Sequence, residues 1–72
     1  MNLIEIAKIY TDLVRLEREI PEQEYQAKDL ANALRSQYHE ILMAKMREEH
    51  MDFADRFEAA NKAFELVKNS DS

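Results

Sequence analysis

Hydrophobic positions recur every three to four residues from Leu3 to Val67, and no stretch shows the two-residue alternation of a strand, so the pattern predicts an all-α chain. In the first segment Ile6, Ile9, Leu13, Leu16 and Ile20 form one apolar stripe, and Leu3, Ala7, Tyr10 and Val14 form a second beside it. At about 100° per residue the two cover about half the circumference, so this helix is expected to touch two neighbours. Asn2 with Glu5 three residues on is a capping-box arrangement at its start. Pro21 pushes Ile20 out of the α region, which places the helix at about 2–19 and the turn at 20–21.

Pro21 has the fixed φ of a first helical position, and Glu22 and Glu24 set negative charge at the positive end of a helix starting there. A second helix is therefore expected over about 22–69, with a frayed tail to Ser72. Unbroken, it would extend roughly 70 Å at about 1.5 Å per residue. Ala27, Ala31, Leu34, Tyr38 and Ile41 keep a 4-3 spacing, as do Phe53, Phe57, Ala60, Phe64 and Val67, but the two runs are out of register. The handover lies between Leu42 and Met51. A stutter in one helix produces such a shift, and so does a turn over Glu49–Asp52 with Asp52 as N-cap and Asp55 at the third position. Glycine is absent and Pro21 is the single proline, so the missing breakers favour the continuous or merely kinked helix.

A hairpin of these helices covers only about 27 Å of the long one, which leaves Phe53, Phe57 and Phe64 without a cover. One clear turn, and not two, directs the expectation to a second copy of the chain, giving a dimeric bundle of helical hairpins. Residues assigned to the self-association or partner interface are Met43, Met46, His50, Phe53, Phe57 and Phe64, with truncation of Phe57 or Phe64 expected to cost about 3 kcal/mol. His39, Met43, Met46 and His50 share one seam. An antiparallel pair centred between Ala44 and Lys45 would set His39 opposite His50 of the other copy; the plainer expectation is an adaptable methionine contact flanked by solvated histidines.

Seventy-two residues make one small domain, and with no cysteine neither a disulfide nor a thiolate metal site can staple it. The net charge of -5 is spread along the chain, with acids and bases interleaved at helical spacings such as Glu24–Lys28, Asp52–Arg56 and Glu58–Lys62. That mixture gives no basic stripe for direct nucleic-acid binding and no cationic polar face for a membrane surface. The longest apolar run, Ile41–Ala44, is too short to span a bilayer, and a cytoplasmic location is expected.

Candidate chemistry is sparse. No glycine-rich loop, cysteine nucleophile or serine–histidine–acid spacing occurs, and neither histidine has the Glu-x-x-His partner of a helical di-metal site. No catalytic residue, metal ligand or cofactor is expected. The sequence points to a non-enzymatic interaction module, a dimeric helical adaptor or inhibitor acting on a larger protein. The alternative is an acidic mimic of nucleic acid that inhibits a DNA- or RNA-binding protein.

Overall fold

The side chain of Asn2 accepts from the Glu5 N–H at 2.9 Å, and the helix it caps, α1, runs over Leu3–Glu19. Ile20 then takes the extended conformation imposed by the next residue, proline, as expected. In the computed structural model, which describes residues 1–70, two further helices complete the fold: α2 over Tyr25–Glu48 and α3 over Arg56–Ser70. No strand occurs among the described residues.

Three expectations about the second half need correction. Pro21 does not open α2. Its carbonyl accepts from the Glu24 N–H at 3.0 Å in a tight turn, and α2 begins four residues later with no side-chain cap. Lys28 reaches back to hold this turn, donating to the Ile20 carbonyl at 3.2 Å and to Glu22 at 2.9 Å. Nor is there one long helix over 22–69. The longest dimension of the Cα trace is 40 Å, well short of a 70 Å rod, because the chain turns between Glu48 and Arg56. At the far end, Asn69 and Ser70 are helical and not frayed, while 71–72 lie outside the described residues.

The break forms without glycine. The Met51 N–H bonds to the Met46 carbonyl at 2.8 Å and the His50 N–H to the Arg47 carbonyl at 3.0 Å, the paired bonds of a Schellman ending. Such an ending requires one left-handed residue, and His50 supplies it with φ of 58°. Met51, one residue further, turns back onto the core that contains Met46, giving the apolar contact that accompanies this motif. Lys45 and Arg47 in the last turn complement the helix dipole. The next helix is capped by Asp55 rather than Asp52: its Oδ1 accepts from the Glu58 N–H at 2.9 Å.

A Cβ at left-handed φ costs roughly 1–2 kcal/mol, so His50→Gly is expected to stabilise the fold by about 1 kcal/mol. In a domain this small that is a rise of roughly 4–8 °C in melting temperature. Thermal unfolding followed by circular dichroism measures it, and a fall would mean that His50 makes a contact worth more than its backbone strain.

α1 packs against both other helices, which touch each other less, so the expectation of two neighbours is met within a single chain. Its buried stripe is Leu3, Ile6, Ala7 and Tyr10, with Thr11 also enclosed and turned to the Lys8 carbonyl at 3.1 Å. α2 contributes Leu42, Met43 and Met46 to this core, and α3 contributes Ala59, Ala63 and Val67. The small residues on α3 let its backbone approach closely, which is how so short a chain closes a core.

A polar clip joins α1 to α2 near their connecting turn. Asn32 donates to Glu17 Oε1 at 2.9 Å, and Arg35 Nε donates to Glu17 Oε2. The Asn32 hydrogen bond, helped by the hydrogen bond and charge of Arg35, outweighs desolvation and holds the Glu17 carboxyl below its ordinary 4.5. A depressed carboxyl stabilises the fold above the pKa of the unfolded chain, and that contribution disappears as pH falls through the folded value. Glu17→Gln is accordingly expected to cost about 1 kcal/mol at neutral pH for a partly solvated pair. The gap to wild type should close as pH drops below about 4.5, which urea unfolding at pH 7 and pH 3 would check.

Candidate interaction surface

The residues expected to form an interface fall into three groups. Met43 and Met46 are buried in the intramolecular core, so they are not available to a partner while the bundle is folded. The antiparallel His39–His50 pairing fails for the same reason, and of the two histidines expected to be solvated only His50 is. His39 is buried against the Tyr10 ring, 5.0 Å between centroids, with Nε2 2.9 Å from the Arg56 carbonyl. Phe53 and Phe64 are half-buried against the core, supplied with the intramolecular cover that the expected hairpin lacked. His50 and Phe57 face outward, Phe57 with 74% of its surface exposed.

An open groove at the α2–α3 turn brings several of these together. Phe53 and Phe57 supply its apolar wall above the buried Met43, and Glu40, Arg47 and Arg56 its charged rim. The Arg47 guanidinium lies over the Phe53 ring, 5.3 Å from the centroid. Arg56 pairs with Glu40 at 3.8 Å across α2 and α3, where the sequence pattern pairs it with Asp52. Lys28 likewise turns to Glu22 rather than Glu24, whereas Glu58–Lys62 forms at 3.3 Å as expected. A bond from the Lys62 amine to the Asp52 carbonyl ties the turn down from the other side.

The more extensive surface cuts across a stripe that the spacing predicts. Ala27, Ala31, Leu34, Tyr38 and Ile41 do not share one environment: Ala31 is buried and Tyr38 half-buried, while Ala27, Leu34 and Ile41 point outward. Leu30 and Ala44 join them on that outer face. Ala27, Leu30, Leu34, Gln37, Ile41 and Ala44 keep an unbroken 3-4-3-4-3 spacing, the a and d positions of a coiled coil. Leu30 is 63% exposed, Ile41 43% and Leu34 37%. The buried residues of α2 are centred roughly 145° round the helix from this seam at about 100° per residue, so the core cannot reach it. The signal that marks the seam is the heptad itself: Ala27, Leu34 and Ile41 belong to the predicted stripe, and Leu30, Gln37 and Ala44 stand three residues beyond each of them.

Among the described residues no three histidine, aspartate or glutamate side chains gather as a metal site, and no helix is long and apolar enough to cross a membrane. Compared with known proteins, the chain matches no family model, no curated protein and no solved structure.

Proposed function

We propose that the protein is a non-enzymatic interaction module, a small dimeric helical adaptor or inhibitor acting on a larger protein, with the outer face of α2 as its association face. The observation that carries this reading is the exposed heptad seam from Ala27 to Ala44, an apolar face that neither α1 nor α3 covers. Monomers in water seldom leave contiguous large apolar side chains open unless something docks there. Phe57, beside the α2–α3 groove, adds an aromatic anchor of the kind that dominates binding energy.

The acidic-mimic alternative places affinity in carboxylates instead. Lys45 sits 3.4 Å from Glu48 and 3.8 Å from Glu49, and Lys62 lies beside Glu58, so bases interrupt the acidic field. Partner capture from lysate, washed at low and at high salt, separates the two readings. Retention at high salt that is lost on Leu34→Glu supports the apolar module. Release at high salt, with full loss on reversing Glu48 and Glu49 to lysine, would put the affinity in the charges and sink it.

A further inference from the structure

We infer that the occupant of the α2 seam is α2 of a second copy, paired antiparallel about a dyad between Arg35 and Ser36. The inference rests on the reading of α2 as a docking helix and deepens it by assigning the occupant and its register. In side-chain size the seam is close to a palindrome: alanine at each end, a large aliphatic next, and Leu34 with Gln37 at the centre. Antiparallel superposition sets Ala27 on Ala44, Leu30 on Ile41 and Leu34 on Gln37, each twice, so large side chains meet large ones and small meet small. Such self-complementarity is what a two-fold interface needs, and a foreign helix has no reason to match it.

The flanks agree in charge. On one side of the seam this register brings Glu24, the residue just before α2, towards Lys45 of the other copy, and on the opposite side it places Gln26 opposite Arg47. Of the remaining flanking positions, Ala33 meets Glu40 without a like charge, while Ala31 and Tyr38 are turned into their own bundle. The two helix dipoles also oppose each other, which parallel pairing does not allow. Gln37 is the polar member of an otherwise apolar seam. The two copies of Gln37 fall on either side of the dyad, roughly 4.5 Å apart along the axis at about 1.5 Å rise per residue, where their amides can bond to one another. A buried amide at one position penalises shifted registers, so Gln37 acts as the register-setting residue.

The native chain has no cysteine, so introduced thiols report the geometry without background. Ala27 and Ala44 are both exposed, and Ala27→Cys and Ala44→Cys are made as separate full-length chains. Mixed under mild oxidation, they are expected to cross-link to each other and not to themselves. Self-cross-linking of each variant alone indicates parallel pairing and overturns the register. Sedimentation equilibrium of the wild-type chain is expected to show a monomer–dimer equilibrium, and Leu30→Arg with Ile41→Arg to weaken it by at least about 100-fold with the helical spectrum unchanged. A wild-type chain that remains monomeric at millimolar concentration overturns self-pairing. Salt-resistant capture of another protein by a chain that stays monomeric, lost on Leu34→Glu, keeps the docking reading and overturns self-pairing alone.

Discussion

Leu42→Ala is expected to lower stability by about 2–5 kcal/mol, since it deletes a fully enclosed side chain at the centre of the three-helix core. A domain of this length has a total stability on the order of 4–10 kcal/mol. The variant therefore loses a large share of it, seen as a melting temperature lowered by at least about 10 °C. Phe57→Ala removes a larger side chain, yet 74% of that residue is already in water, and its effect on the fold should stay within about 0.5 kcal/mol. This reverses the weight that the heptad spacing assigns to Phe57. Equal destabilisation by the two substitutions in a urea series would mean that the start of α3 is docked differently.

Phe57 shows what periodicity alone misses. It shares a 4-3 spacing with Ala60 and Phe64, but it stands in the first turn of α3, at the flank of a buried face formed by Ala59, Ala63 and Val67. Spacing selects a stripe, and which part of the stripe is covered depends on where the helix begins and which neighbour reaches it. α1 was legible because its Leu3–Ala7–Tyr10 stripe, its Asn2 cap and its proline stop all agree, although of the neighbouring stripe Ile6 alone is buried and Leu16 faces out. The second break was harder, because left-handed endings are usually sought as glycine. Its signals were nonetheless present: Lys45 and Arg47 as the basic last turn, His50 as a residue type enriched at positive φ, and Asp55 three residues before Glu58. Once that break is allowed, α3 supplies the second neighbour that α1 requires, and the methionines pass from an expected interface into the core.

The moved boundary also changes what His39 does. It sits on α2, its ring packs on Tyr10 of α1, and its Nε2 meets the carbonyl of Arg56 at the start of α3. A carbonyl only accepts, so Nε2 carries the proton and donates, while Nδ1 is buried without a hydrogen-bond partner among the described residues. One side chain thus joins all three helices through a ring contact and one hydrogen bond. His39→Ala removes both and leaves a hole at the junction, with an expected loss of about 2–4 kcal/mol. His39→Phe keeps the ring and sheds the unpartnered nitrogen but gives up the bond to Arg56, so it should fall within about 1.5 kcal/mol of wild type. Urea unfolding of the three chains tests the ordering. If Phe is as damaging as Ala, the hydrogen bond to α3, and not the ring against Tyr10, is what holds the junction.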